Sequence, residues 1–349
     1  MVEPQGDEFY FQWHITELCN RRCKHCYQDF TKPSSDLSSE HLQFVFERME
    51  QALDAWGKKG TVSLTGGEPY LRRNDLYALA RAMDASEQFT YYDVLTNGSL
   101  VSAPEVSELS TLAKLRRVQL SLESPDEEEN DSIRGTGSYS TTVDAIRRLK
   151  AGSMHVSIMM TISRLNYRSV PRMIEFAAGL GVDALAVERF IPEGSGQQLR
   201  EHVLTRDEVR EVYALLYEQG LNEKRLRVLM YRPLFALFDC MNPTVGAMCS
   251  VGVNALTIMH DGTLYPCRRL PIGLGNVITD GLFRPWYDSE ILWKLRDPRN
   301  IKGKCGNCTI LPVCRGCRAM AYWLMNDYLG EDPHCWREVT SSATSSTRT

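Results

Sequence analysis

The chain has 349 residues, 43% hydrophobic and 24% charged, an ordinary globular composition with room for two domains or for one barrel with an appendage. Its 40 Lys and Arg against 44 Asp and Glu give a net charge of −4, which argues against a nucleic-acid partner held by bulk charge. No apolar run reaches the roughly 18 residues of a membrane span, and Met1–Trp13 lacks an export signal, so the sequence reads as cytoplasmic.

Short strand-like and helical stretches alternate from Phe9 to about Phe190. Phe9, Phe11, Trp13 and Ile15 alternate with Tyr10, Gln12, His14 and Thr16, the period of a strand. Further strands are expected at Thr61–Thr65, Thr90–Thr96, Arg116–Leu122, Val156–Ser163 and Ala184–Phe190. Helices are expected at Ser39–Trp56 (capped by Ser38 or Ser39), Asp75–Met83, Pro104–Ala113, Tyr139–Lys150 and Val170–Gly179. The repeat of about 30 residues is that of right-handed βαβ units, six in all. A full eight-unit barrel needs about 250 residues, more than this stretch supplies. The expected fold is therefore α/β, a partial (β/α)6 barrel.

After Pro192 the rhythm fades. Thr205–Gln219 reads as one more helix with Asp207 and Glu208 in its first turn. From Cys240 to Cys335 the chain is loop-rich and holds eight of the eleven cysteines, with a hairpin expected at Ala255–Met259 and Thr263–Pro266 around Asp261-Gly262. So little apolar sequence implies a metal staple. Thr340–Thr349, rich in Ser and Thr, reads as disordered. The expected division is a tail (1–8), a barrel (9–220), a bridge (221–239), a cysteine-rich domain (240–336) and a tail (337–349).

Eleven is an odd count, and without an export signal disulfides are disfavoured, so clustered thiols point to metal or catalysis. Cys19, Cys23 and Cys26 form C-x3-C-x2-C just after the first strand, where ligand sites of parallel α/β folds lie. Three thiolates suit an iron–sulfur cluster with one iron left without protein coordination. They also suit a zinc site completed by His25 or His14.

The run Cys19-Asn20-Arg21-Arg22-Cys23-Lys24-His25-Cys26-Tyr27, together with Gly66-Gly67-Glu68-Pro69 after the second strand, resembles the radical S-adenosylmethionine (SAM) enzymes. The resemblance implies that the three cysteines hold a [4Fe–4S] cluster whose open iron binds the amino and carboxylate groups of SAM. It places His25 in a slot that is usually aromatic, near the adenine, with Tyr27 beside it. Gly66, Gly67, Glu68 and Pro69 would form the loop that meets the SAM amino group. Asn97, Ser121, Glu123 and Arg134 are further SAM contacts it implies; Asn97-Gly98 also reads as a turn and Arg134 as a solvated cation.

The second group runs Cys249-x12-Gly262-x4-Cys267, then Cys305-x2-Cys308-x5-Cys314-x2-Cys317-x17-Cys335, and resembles the SPASM extension of radical SAM peptide maturases. Many members have three residues where two separate Cys314 from Cys317. By this resemblance Cys305, Cys308, Cys314 and Cys335 hold an outer auxiliary [4Fe–4S] cluster, and Cys249, Cys267 and Cys317 an inner one. Cys240 is either a fourth inner ligand or a buried bystander. With Cys240 included, all eleven cysteines serve three clusters.

The implied activity is reductive cleavage of SAM to a 5′-deoxyadenosyl radical that takes hydrogen from a ribosomally made peptide or protein, installing a thioether, a carbon–carbon crosslink or an oxidation. A flavodoxin- or ferredoxin-type donor is implied. Since 18 residues precede Cys19, leader recognition falls to the barrel surface or to a separate protein. A porphyrin, haem or cofactor precursor is the alternative substrate, and a zinc-stapled binding module the alternative of another class. Sulfatase maturases carry an aspartate where this chain has Arg268, which counts against that reaction. Arg268 and Arg269 read either as contacts to an acidic substrate group or as solvated, with the solvated reading preferred. His14, Glu188 and Arg189, on strands facing the cavity, read as satisfied core groups rather than catalysts.

Overall fold

A computed structural model describes residues 7–29, 35–242 and 244–339. The predicted tail 340–349 lies outside the described residues, as does most of 1–8. The elements in chain order are β1 (Glu8–His14), α1 (Ser39–Trp56), β2 (Lys59–Thr65), α2 (Arg73–Ala85), β3 (Phe89–Thr96), α3 (Ala103–Leu109), β4 (Leu115–Ser121), α4 (Glu127–Arg134) and α5 (Ser138–Ala151). There follow β5 (Val156–Ile162), α6 (Val170–Gly179), β6 (Ala184–Arg189), α7 (Arg206–Asn222), β7 (Arg227–Leu229), β8 (Ala255–Ile258), β9 (Thr263–Tyr265) and β10 (Gly275–Asn276). Short helices fill much of the rest, the last at Arg318–Met325.

Strands β1 to β7 are parallel neighbours in sequence order, the six-strand core that the βα rhythm implies plus a short seventh. The expected hairpin forms as β8 and β9, with Gly262 N–H closing the turn on Met259 O at 2.9 Å. It does not stand apart: β8 pairs parallel with β1, Phe11 opposite Leu256, so the sheet runs β10-β9-β8-β1-β2-β3-β4-β5-β6-β7. The C-terminal segment thus grows out of the barrel edge.

Helix boundaries follow their caps. Ser38, rather than Ser39, caps α1 by accepting from His41 N–H, and Gly57 ends it at φ 62°. Thr205 and Glu208 form a reciprocal capping box on α7. One site-bearing helix, α4, has no counterpart in the sequence reading. Its first turn is Glu127-Glu128-Glu129, and only Asn130, Ile133 and Arg134 are buried, too few to show an apolar period.

The alternation in β1 has an unusual meaning. Phe9, Phe11 and Trp13 pack into the apolar core, yet the intervening Tyr10 and His14 are buried too. Tyr10 donates to Ser63 Oγ at 2.9 Å, from β1 to β2. The polar face of the strands therefore lines the inside of the half-barrel instead of facing water, and Gln12, Thr65, Gln119, Ser121, Met159 and Thr161 all reach one cavity there.

Candidate active site

That cavity, about 230 Å³, lies at the carboxyl ends of the strands, and Cys19, Cys23 and Cys26 are on its wall. The approach to the cysteines is held by the glycine pair after β2. Gly67 N–H donates to Thr16 O at 2.9 Å and Glu68 N–H to Leu18 O at 2.8 Å. A Cβ on Gly66 would stand 2.3 Å from Thr16 O, and one on Gly67 2.3 Å from Leu18 O. No side chain fits, so close approach to the chain's own backbone already demands both glycines.

Glu68 stands behind this wall and is fully buried. Its Oε1 accepts from Thr96 Oγ1 at 2.8 Å and Tyr70 N–H at 3.2 Å, its Oε2 from Asn97 N–H at 2.8 Å. Burial pushes the carboxyl up to about 6 against the pull of these donors. Glu68 thereby ties the glycine loop to the end of β3. Pro69 opens the short helix Pro69–Arg72 beside it, and neither residue lines the cavity.

Burial also raises the Cys19 thiol and pushes Cys26 up to about 12, helped by the neighbouring thiols. Cys19 and Cys26, reluctant to ionise alone, fit soft-metal coordination, which supplies the positive charge that a thiolate needs. Arg134 sits among them, its carbonyl 3.8 Å from Cys23 Sγ. Its Nη1 donates to Glu123 Oε1 at 2.9 Å, and His25 Nε2 is 3.2 Å from the same oxygen. Burial raises the Glu123 carboxyl, but His25, Arg134 and Thr161 N–H outweigh it and leave it below the ordinary range. Asn97 Nδ2 donates to Asn20 Oδ1 at 3.0 Å and lies 4.0 Å from Cys19 Sγ.

The opposite charge economy governs the rest of the wall. Arg268 donates to Glu193 Oε1 at 2.7 Å and lies over the Tyr27 ring, 4.0 Å from its centroid. Arg269 meets Glu188 Oε2 at 2.9 Å, and Arg232 takes Glu188 Oε1. The solvated reading of Arg268 and Arg269 is thereby corrected: carboxylates from β6 and the loop after it draw both inward. Arg189 is satisfied as expected, bonding Asp332 at 3.0 and 2.9 Å and His334 Nδ1 at 3.1 Å. His14 is buried, edge-on to Tyr27 at 5.9 Å between ring centroids.

The C-terminal cysteines gather in two places. Cys305, Cys308, Cys314 and Cys335 line a second cavity; Cys249, Cys267 and Cys317 line a third. Burial pushes Cys314 up to about 12, with Asp332, Cys305 and Cys335 adding to it. Cys240 is exposed and lines none of the three cavities.

The radical SAM superfamily model matches residues 13–177, and the SPASM iron–sulfur cluster-binding domain matches 249–318. The AdoMet-dependent heme synthase of Methanosarcina barkeri (strain Fusaro / DSM 804) is 30% identical over 341 residues, covering 93% of this chain and 95% of that protein. The chain belongs to the radical SAM superfamily. The mycofactocin maturase MftC of Mycobacterium tuberculosis (strain CDC 1551 / Oshkosh) is 30% identical over 339 residues, covering 93% of this chain and 81% of its own. Streptococcus suis SuiB, solved bound to its precursor peptide SuiA, shares the fold at a TM-score of 0.73 and 16% identity, over 95% of this chain and 76% of that one. As a radical SAM enzyme the chain uses SAM and a [4Fe–4S] cluster, and its SPASM domain binds iron–sulfur as well. No helix among the described residues is long and apolar enough to cross a membrane.

Of the residues singled out in the sequence, Cys19, Cys23, Cys26, His25, Tyr27, Gly66, Gly67, Asn97, Ser121, Glu123 and Arg134 share the one cavity. Gln12, Gln119, Met159, Thr161, Glu193 and Arg232 join them without having been expected. Strand period would have found Gln119, two residues before Ser121, and likewise Met159 and Thr161. Arg232 follows a three-residue strand and carries no such signal.

Proposed function

We propose that this radical SAM enzyme takes hydrogen from a peptide or protein substrate and installs a thioether, a carbon–carbon crosslink or an oxidation. Cys19, Cys23 and Cys26 would hold the cluster that supplies, with SAM, the 5′-deoxyadenosyl radical. His25, Tyr27, Asn97, Ser121, Glu123 and Arg134 would orient SAM. Gly66 and Gly67 would present backbone to it, with Glu68 and Pro69 holding that loop from behind. Glu123, anchored by Thr161 N–H, fixes His25 and Arg134 in place. Cys305, Cys308, Cys314 and Cys335 would bind an outer auxiliary [4Fe–4S] cluster, Cys249, Cys267 and Cys317 an inner one, for three clusters in all. A flavodoxin- or ferredoxin-type protein would donate electrons, and the barrel surface or a separate protein would recognise any leader.

The observation that carries the peptide reading is the gathering of seven C-terminal cysteines into two distinct sites, the arrangement that resembles peptide maturases. The test is anaerobic reconstitution, iron analysis and mass spectrometry of short peptides encoded beside the gene and co-expressed with it. The expected result is about twelve irons, 5′-deoxyadenosine under strong reductant and a mass shift on one peptide. A zinc-only protein that forms no deoxyadenosine ends the proposal. A haem-precursor substrate is the second reading, favoured by the 95% coverage of the heme synthase. Turnover of a tetrapyrrole with every peptide unchanged would select it.

A further inference from the structure

Glu188, Arg189, Arg232, Cys267 and Arg269 line both the main cavity and the cavity of the inner cysteines, and so form the partition between them. Cys267 opens a tight turn in this partition. Leu270 N–H donates to Cys267 O at 2.9 Å, which leaves Arg268 and Arg269 as the two central residues. The turn sends their guanidinium groups to different places. Arg268 goes to Glu193 and to Tyr27, whose carbonyl it meets at 3.2 Å, on the loop of the first three cysteines. Arg269 stays on the wall of the inner cavity, alongside Cys249, Cys267 and Cys317. Trp323 Nε1 donates to Arg269 O at 3.1 Å and pins the turn to the helix that begins directly after Cys317.

Arg269 acts on the inner thiols through both its side chain and its backbone. Burial raises the Cys267 thiol, while the Arg269 guanidinium and the Arg269 N–H work against burial and favour the thiolate. Burial likewise opposes the Arg269 charge, but Glu188 and the Cys317 and Cys267 sulfurs outweigh it. Arg189, also near Cys317, comes matched with Asp332, whose Oδ2 itself accepts from Cys317 N–H at 2.8 Å. A fixed cation and an N–H donor beside a cluster's sulfurs both favour the state with one more electron, because reduction adds negative charge. We propose that Arg269 sets the inner auxiliary cluster at a higher reduction potential than its thiolates alone would give. Cys267 borders the main cavity and no outer cysteine does, so this is the auxiliary site whose potential matters on the substrate side. Arg269 is a positioning residue in this role: it acts through the cluster. The inference rests on the reading of Cys249, Cys267 and Cys317 as cluster ligands.

The test is a redox titration of the anaerobically reconstituted holoenzyme, followed by electron paramagnetic resonance. The signal missing in Cys249→Ala identifies the inner cluster. In Arg269→Gln its midpoint is expected to fall by about 59 mV, a tenfold change in the ratio of reduced to oxidised cluster for one electron. Glu188 keeps Arg232 as a partner in that variant. Arg269→Lys recovers part of the shift, and Arg268→Gln, from the same turn, leaves the inner midpoint in place. Arg269→Met serves if Arg269→Gln does not fold. An inner midpoint that stays or rises in the neutral variants, or that falls equally in Arg268→Gln, overturns the inference alone. If Cys249→Ala loses neither a signal nor iron, the ligand reading fails and takes the inference with it.

Discussion

Cys19, Cys23 and Cys26 lie on one connection whose base is stitched to β2 by Gly67 and Glu68 and whose middle is tied to α4, Lys24 N–H donating to Ile133 O at 2.9 Å. The C-terminal cysteines are spread from Cys249 to Cys335 over turns and short helices, and buried side chains take over the work of strands there. Asp332 is the centre of that frame: it pairs with Arg189 of β6 and accepts from Cys317 N–H at 2.8 Å and His334 N–H at 3.0 Å. Arg315 donates to Cys249 O at 3.1 Å and to Leu295 O, and Arg318 to Tyr328 O and Gly330 O. One site is built on a sheet, where backbone hydrogen bonds fix it. The other is built on charged tethers, whose value depends on every partner staying in place.

The sharpest division between the regions comes from Cys19→Ala, Cys23→Ala and Cys26→Ala combined. SAM cleavage is expected to vanish while about two thirds of the iron stays bound, read by deoxyadenosine assay and iron analysis. Retained cleavage would mean that the radical cluster lies elsewhere. Next in size, Asp332→Asn removes the charge opposite buried Arg189, at a cost of about 3–5 kcal/mol. Hydrogen exchange should rise in 305–335 and stay protected in β1 to β5; an even loss across the chain would break the distinction between tethered and sheet-built regions.

Glu68 tests the sheet-built side. Its folded-state carboxyl, pushed up to about 6 from 4.5, holds its proton more tightly than the unfolded chain does. The stability linked to it is complete below 4.5 and lost as pH rises through about 6, a change on the order of 2 kcal/mol. Denaturant melts at stepped pH should show that slope in the wild type and lose it in Glu68→Gln. The smallest effect belongs to Cys240→Ala: exposed and outside the inner cavity, its loss should leave iron content and auxiliary-cluster spectra unchanged. A lost cluster would make it a ligand.

The barrel was legible because parallel strands and amphipathic helices each leave a period in the sequence. The cysteine triad and the glycine pair were legible because their spacing is local. The partition was not: Arg232, Glu188 and Arg269 come from three separate stretches, and nothing local distinguishes a paired buried arginine from a solvated one. Helix α4 was hidden for a related reason, its buried face being Asn130, Ile133 and Arg134 instead of a stripe of Leu and Val. Polar residues inside the half-barrel likewise look like surface positions until the sheet curls around them.

The central claim is that three thiols of the β1 loop hold a cubane whose fourth iron is open to SAM. Electron–nuclear double resonance on the reduced enzyme, with 15N at the SAM amino group and 17O at its carboxylate, examines it most directly. Hyperfine coupling from both labels is expected, lost together in the Cys19, Cys23 and Cys26 triple variant. Coupling from neither label in the loaded wild-type enzyme, with all irons fully protein-ligated, would contradict it.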